Sequence, residues 1–192
     1  MCKAWKHFKT ITYHKCLVAK GCFQVGLYRQ GLLHDISKYS PTEFAAGVRY
    51  YQGTRSPNNA EREANGYSAA WMHHQGRNRH HYEYWVDYSI NGRHGVREPV
   101  SMPDRYIAEM IMDRIAACKV YQGAAYTDAS PLEYYNKGTL RAPMHPETRE
   151  KLERMLKMLA EKGERETFAC IRQELVHGKS AAKRKNRPAP KS

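Results

Sequence analysis

Apolar positions recur with helical spacing over most of the chain. In the first segment, roughly residues 3–25, one face carries Ile11, His14, Leu17, Val18, Cys22 and Val25. This pattern predicts an amphipathic helix with His14 on its buried stripe. A second long helix is predicted to begin at Met102-Pro103-Asp104, because its apolar face repeats at Ile107, Met110, Ile111, Ile115 and Cys118. Asp113 lies within that helix, and Glu109 lies one turn earlier on the same side.

Shorter elements are predicted between these two helices. A break over 26–31 precedes a short helix over 32–38. Ser40-Pro41-Thr42-Glu43 has the composition of a helix start, with Ser40 as N-cap and Glu43 completing a capping box. Residues 53–65 are predicted to form a loop. A further short helix runs from 69 to 74, is interrupted at Gln75-Gly76, and is followed by another from 78 through 86.

The C-terminal part is predicted to support the rest of the domain. After an irregular stretch over 127–144, two helices at 146–162 and 164–176 alternate charged and apolar positions, as a helical hairpin does. Strand signals are almost absent, so the fold class is all-α. We expect one helical domain over 1–176 and a disordered basic tail over 177–192.

Charge and composition limit the kinds of partner and compartment. The formal net charge of +13 favours anionic partners, and six of the basic residues lie in 178–192 without an acidic one. The body keeps an excess that suits a phosphate-bearing substrate, while the tail serves solubility or makes weak contacts with nucleic acid. No apolar run is long enough to span a bilayer, no signal-peptide pattern opens the chain, and the five cysteines form no CxxC pair. These features predict a cytoplasmic protein without a membrane partner, and they leave the oligomeric state open.

The most informative chemical feature is the dipeptide His34-Asp35 on a short apolar segment. Burial of an unpaired charge is costly, and a divalent metal removes that cost, because imidazole and carboxylate are natural ligands. Candidate partners lie on separate elements: His14, Asp113 and the His pairs at 73–74 and 80–81. Since Gly76 is expected to break the helix, His74 and His81 are the first choices as ligands. Their neighbours His73 and His80 are alternates or orienting groups.

Each of these residues also has a structural explanation when it is taken alone. His14 fits a hydrogen-bonded core histidine, and Asp113 fits a helix-surface ion pair. Taken together they favour a metal site, because four of the ten histidines lie within nine residues. Nitrogen and carboxylate ligands without sulfur suit Mn, Fe, Co, Ni, Zn or Mg as one or two ions, and the sequence does not choose among them.

The order His14, His34-Asp35, His cluster, Asp113 resembles the HD-domain superfamily of metal-dependent phosphohydrolases. More closely, the chain resembles a small family known as domain of unknown function 5662. The matching pieces are His34-Asp35-x-Ser37-Lys38-Tyr39-Ser40-Pro41-x-Glu43-Phe44, Trp71-x-His73-His74-x-x-x-Asn78-x-His80-His81-x-Glu83-Tyr84-Trp85, and Met102-Pro103 with Glu109-Met110-x-x-Asp113. The HD resemblance implies a helical bundle in which His14, His34, Asp35 and Asp113 are the core metal ligands, and the His cluster adds those of dinuclear members.

The function implied is hydrolysis of a phosphomonoester or phosphodiester, such as a nucleotide, by a metal-activated water. Asp35 would hold metal and orient that water, and Glu109 would act as general acid or base. Lys38 would bind a phosphate oxygen, although it also fits a solvated lysine at a helix end. Arg77 and Arg79 would add a second phosphate contact. Two alternatives stay open: an HD-type diiron oxygenase, and a non-enzymatic nucleic-acid or partner-binding protein with a structural metal.

Overall fold

Helices dominate the protein, as the sequence predicts. The computed structural model describes residues 2–89, 95–138 and 143–178, and these ranges contain eight α-helices. The helices are α1 Lys3–Gln24, α2 Tyr28–Leu33, α3 Pro41–Arg49, α4 Pro57–Asn65, α5 Ala69–Gln75, α6 Asp104–Gln122, α7 Ser130–Gly138 and α8 Pro146–Ile171. Within the described ranges the fold class is therefore all-α.

Short elements connect the helices. Three 3₁₀ helices cover Ile36–Tyr39, Tyr82–Tyr84 and Gly123–Ala125, and one π-helical segment covers Arg172–His177. A small antiparallel ribbon pairs β1 (Val86–Tyr88) with β2 (Arg97–Pro99), so that Val86 lies opposite Pro99. No helix in the described ranges is both long and apolar enough to cross a membrane.

The core forms where α1, α6 and α8 meet. Helix α6 buries ten residues, and α1 approaches it closely at Gly21, where an added Cβ would lie 2.7 Å from the Met112 sulfur. The absent side chain therefore sets the distance between the two helices. The fully buried members of this core are Val18, Cys22, Val25, Ile107, Ala108, Ile111, Leu152, Met155, Leu156, Leu159 and Ile171.

The two parts of α8, before and after Gly163, fold back on each other, as the sequence predicts for the C-terminal hairpin. Gly163, with φ 78° and ψ 176°, interrupts α8 in a conformation that L side chains rarely adopt. Arg154 and Glu174 form an ion pair across this break. A straight helix would separate residues twenty positions apart by about 30 Å, so the two arms must lie side by side. Residues 179–192, most of the predicted tail, lie outside the described residues.

Two segments predicted to be irregular are helical. Residues 53–65 contain α4, which Pro57 opens and which buries Glu61; the Glu61 carboxylate accepts hydrogen bonds from the Ser68 hydroxyl and the Ala70 amide. Residues 127–144 contain α7, which buries Tyr135. Both predictions were wrong because tertiary contacts of one or two side chains outweigh a composition rich in Asn, Pro, Gly and Thr.

Two predicted helices have different boundaries, and both corrections concern the site. The helix predicted over 32–38 instead runs from Tyr28 to Leu33, so it begins within the predicted break and ends before the His34-Asp35 dipeptide. A 3₁₀ helix over Ile36–Tyr39 follows the dipeptide. The helix predicted over 78–86 is a turn, a 3₁₀ helix and strand β1. There the Trp85 indole donates a hydrogen bond to the Arg79 carbonyl at 2.8 Å, and β2 pairs with β1, which replaces helical hydrogen bonding.

Candidate metal centre

Three elements bring the first group of side chains together. Helix α1 carries His14 on its buried face, helix α6 carries Asp113, and the turn after α2 carries His34 and Asp35. His14 Nε2 lies 2.9 Å from Asp113 Oδ1, and His34 Nε2 lies 3.2 Å from Asp35 Oδ2. Lys15 fixes the turn, because its ammonium donates to the carbonyls of Leu32 and His34 at 2.8 Å each.

A second group approaches Asp35 from the other side. His74 lies at the end of α5, and His80 and His81 lie in the turn that follows. The Nε2 atoms of His74 and His80 each lie 3.3 Å from Asp35 Oδ1. The rings of His74 and His81 are 4.8 Å apart, since α5 ends at Gln75, where the sequence predicts the interruption.

Asp35 belongs to both groups. The ligand atoms of His14, His34, Asp35 and Asp113 lie within 4.8 Å of one another, and so do those of Asp35, His74, His80 and His81. Asp35 is the one non-glycine residue with positive φ in the described ranges, at 53°. Because this conformation is disfavoured for L residues, the surrounding contacts must hold Asp35 in it. Each group can hold a metal ion.

Two carboxylates lie behind the imidazole rings and orient them. Glu109 Oε1 accepts from the Nδ1 atoms of His34 and His80, at 3.0 and 3.2 Å. Glu43 accepts from Nδ1 of His73 at 2.6 Å and of His74 at 2.8 Å. Hydrogen bonds to Nδ1 fix the tautomer in which Nε2 is free to bind a metal. The Glu43 carboxylate is therefore used at the site, while Ser40 Oγ still accepts the Glu43 amide at the start of α3.

Burial and close charges perturb the pKa values across the cluster. Burial would raise the pKa of Asp35, but His34 and Lys38 lower it well below its ordinary value. Burial, followed by His80 and His74, lowers the pKa of His81 well below its usual range. Burial would also raise the pKa of Asp113, but His14 and His34 lower it. Burial would lower the pKa values of His34 and His74, but the adjacent Asp35 raises them. A metal requires ionised carboxylates and neutral imidazoles, so Asp35, Asp113 and His81 are already in the required state, whereas His34 and His74 would release a proton on metal binding.

The buried polar atoms fit a metal better than they fit one another. Six buried side-chain atoms of the cluster form no hydrogen bond of acceptable geometry within the described residues, although most of these atoms lie close to one another. They are Nε2 of His14, His34, His80 and His81, and both Oδ atoms of Asp35. His34 is 1% exposed, and Asp35, His74 and His80 are 2% exposed. Buried groups left in this way are costly, and a shared cation would satisfy them.

An open cleft of about 740 Å³ leads to the cluster. His14, His74, His81 and Asp113 line it, and so does Lys38. Lys38 is not a freely solvated lysine, because its Nζ lies 2.5 Å from Asp35 Oδ2. A cleft of this size accommodates a small organic molecule, and side chains of both candidate ligand groups line it.

The other residues predicted for the site lie in different places. Arg77 and Arg79 are exposed and do not line the cleft; Arg79 donates to the Tyr106 hydroxyl instead. Glu109 lies behind His34 and His80 rather than in the cleft. From the sequence, His80 was predicted only as an alternate ligand or orienting group, and Glu43 was assigned to a helix cap. No pattern in the sequence indicates that Glu43 contacts His73 and His74.

Comparison with known proteins yields one match. No curated protein and no solved structure matches the chain significantly. The family model described as "Family of unknown function (DUF5662)" matches residues 3–158, which is most of the chain and includes every side chain of both groups. The chain therefore belongs to this family, DUF5662.

Proposed function

We propose that the protein is a metal-dependent phosphohydrolase in which Asp35 would be shared by two sites, each of which would hold one divalent ion. The observation that carries this proposal is the set of unsatisfied buried atoms on both sides of Asp35. His14, His34 and Asp113 would complete one ion's site, and His74, His80 and His81 the other. Transition metals such as Mn, Fe, Co, Ni and Zn suit these ligands, and Mg is accommodated less well by imidazole.

When bound, divalent ions would supply Lewis acidity toward a phosphoryl oxygen and a water of lowered pKa as nucleophile. The chain's own residues would set the geometry of that step. Asp35 and Asp113 are held ionised by the adjacent cations and histidines, so that neither requires deprotonation before metal binding. Glu109 orients His34 and His80 through their Nδ1 atoms and is thus a positioning residue.

The charge of the cleft supports a phosphate substrate. Lys38 lines the cleft beside Asp35, and Arg62, Arg114 and Lys137 line it farther away. An ammonium next to a metal centre stabilises the charge that develops on a transferred phosphoryl group. We therefore assign Lys38 to a phosphate oxygen. The exposed Arg77 and Arg79 have no place in this proposal.

The HD-domain resemblance supports the same conclusion. The order His14, His34-Asp35, Asp113 along the chain is the order of core ligands in that superfamily, and the distances within the first group agree with a shared ion. The extra histidines of dinuclear members would correspond to the segment 74–81. A relationship between DUF5662 and the HD-domain superfamily is itself part of the proposal.

The experiment combines metal analysis with hydrolysis. Purified protein is loaded with Mn²⁺, Fe²⁺ or Zn²⁺, its metal content is measured, and the same samples are assayed against mono- and dinucleotides and model phosphate esters. We expect metal-dependent hydrolysis that is abolished in His34→Ala and Asp35→Ala, with helical circular dichroism retained. His177→Ala, at an exposed histidine away from the cluster, is the matched control.

The same measurement separates the two alternatives. Two irons per chain with oxygen-dependent turnover and no hydrolysis would replace this proposal with the diiron oxygenase. Anion affinity that disappears when residues 178–192 are deleted, with no turnover of any ester, would favour the binding protein with a structural metal. Hydrolysis that persists in the tail-deleted protein would argue against the latter.

A further inference from the structure

Arg114 is a cationic side chain of the cleft that forms no ion pair within the described residues. It follows Asp113 on α6 and lines the cleft, with its guanidinium 5.5 Å from the centre of the Tyr135 ring. Its Nε is shielded from solvent and has no hydrogen-bond partner. Among the described residues, no carboxylate lies within 4.0 Å of its guanidinium nitrogens.

This state differs from that of other arginines in the protein. Arg55 pairs with Glu63 and Arg154 pairs with Glu174, both at the exposed surface. A surface arginine needs no partner, because water solvates its charge, whereas a partly buried guanidinium with an unsatisfied donor is costly. An arginine without an ion pair in the cleft that the candidate metal ligands also line therefore indicates a missing anionic ligand.

The nearby carboxylates do not take that role. Glu83 lines the same cleft, and Arg114 lowers its pKa, but burial outweighs this effect and raises the pKa of Glu83 overall, and its Oε2 is buried without a hydrogen-bond partner. Asp113 Oδ1 is directed to His14 at 2.9 Å. The Tyr135 ring lies against the guanidinium carbon, a contact that uses none of the guanidinium hydrogen-bond donors.

We propose that Arg114 binds two terminal oxygens of a phosphate monoester at the metal centre, which makes it the specificity-determining residue for a terminal phosphate. This inference rests on the proposed function. A guanidinium fork takes two oxygens at once. A terminal phosphate group has three non-bridging oxygens, so one remains for the metal ions and Lys38. A diester has only two, and the fork would compete with the centre for them.

The test measures binding of inorganic phosphate to the Mn²⁺-loaded protein by calorimetry. We expect Arg114→Gln to weaken phosphate binding about tenfold to hundredfold, the loss typical of charge-assisted hydrogen bonds. Arg114→Lys keeps the charge but lacks the fork, so its affinity should lie between those of the wild type and Arg114→Gln. Arg77→Gln, at an exposed arginine outside the cleft, is the matched control and should bind as the wild type does.

A purely structural role for Arg114 predicts a different result. If Arg114 only neutralised Glu83, the double variant Glu83→Gln/Arg114→Gln would regain phosphate affinity. We expect it to stay weak, with metal content and thermal stability close to those of the wild type. Unchanged phosphate binding in Arg114→Gln would overturn the proposal. If that variant does not fold, wild-type affinity in Arg114→Lys would overturn it.

Turnover distinguishes this inference from the function on which it rests. With para-nitrophenyl phosphate, Arg114→Gln should raise KM and lower kcat, and the wild type should prefer this monoester to bis-para-nitrophenyl phosphate. Preference for the diester would contradict the substrate class. Phosphate binding that depends on Arg114 without any hydrolysis would support the anion site and overturn the hydrolase. Hydrolysis with unchanged phosphate binding in the Arg114 variants would support the hydrolase and overturn the anion site.

Discussion

The two halves of the centre are built by different means. His14 and Asp113 project from long helices, α1 and α6, that pack through the core near Gly21. His80 and His81 lie in a turn, and the Trp85 indole fixes that turn through the Arg79 carbonyl. In the first half, packing of the helices holds His14 and Asp113, whereas the turn with His34 and Asp35 is held by the hydrogen bonds of Lys15. In the second half, polar contacts hold the turn that carries His80 and His81.

This difference indicates how each half can be perturbed. Hydrophobic burial between α1 and α6 does not depend on any single hydrogen bond. In the second half, Glu43 and Asn78 hold the His74 ring and backbone, with Asn78 Nδ2 donating to the His74 carbonyl at 2.8 Å. Loss of one such contact should affect the second half and leave the first intact. Asp35 connects the halves, so its loss should affect both.

The largest effect is expected from Asp35→Ala, because both halves lose a shared ligand. The metal content measured by plasma mass spectrometry should fall from two ions per chain to less than one. Asp35→Asn is the control for shape, because asparagine tolerates the positive φ that alanine does not. It should also lose metal. Retention of both ions in Asp35→Asn would mean that the carboxylate does not bridge.

Removal of one half should leave the other occupied. His80→Ala should reduce the metal content from two ions to one, since His14, His34, Asp35 and Asp113 remain. His73→Ala is the matched control, because His73 contacts Glu43 but has no place in either ligand group. It should keep two ions. Loss of both ions in His80→Ala would show that the halves are not separable.

The orienting carboxylates should give smaller effects that differ between the halves. Glu109→Gln disturbs one histidine of each half, so the affinity of both ions should fall about tenfold to hundredfold. Glu43→Gln disturbs His74 alone among the ligands, so only one of the two binding steps in a calorimetric titration should weaken. Equal weakening of both steps in Glu43→Gln would contradict the division.

The smallest effect on the centre is expected from a change in the distant core. Leu156 is fully buried in α8, and Leu156→Ala should lower the free energy of unfolding by about 2–5 kcal/mol. Chemical denaturation measures this loss. Metal content should stay at two ions, because no ligand lies on α8. A parallel loss of metal would show that the centre depends on global stability.

The packed half of the site was the more predictable from sequence. Helical periodicity placed His14 on the buried face of α1, and the four-residue spacing of Glu109 and Asp113 placed both on one side of α6. The His34-Asp35 dipeptide was also recognisable, because charged groups in an apolar segment require partners. No sequence pattern indicates that α2 ends before the dipeptide. Because the helix ends there, Asp35 can adopt a positive φ.

The polar half was less predictable, because it depends on contacts between distant segments. Nothing periodic marks the turn that carries His80, and adjacent histidines give no signal of which ring faces inward. Glu43 matched a capping box, a local pattern that a long-range contact overrode. Arg114 follows the candidate ligand Asp113 on α6, and only the three-dimensional structure shows that it lines the cleft and forms no ion pair within the described residues. In contrast, Arg77 and Arg79 were predicted to contact phosphate only because they lie between the two His pairs in the sequence, and both are exposed.

The most direct test of the central claim is anomalous diffraction from crystals of the Mn²⁺-loaded protein. We predict two anomalous peaks about 3.5–4 Å apart, one on either side of the Asp35 carboxylate, the spacing found in two-metal sites. One peak should contact His14, His34 and Asp113, and the other His74, His80 and His81. No peak beside Asp35, or a single peak bound by Glu109, would contradict a dinuclear centre bridged by Asp35.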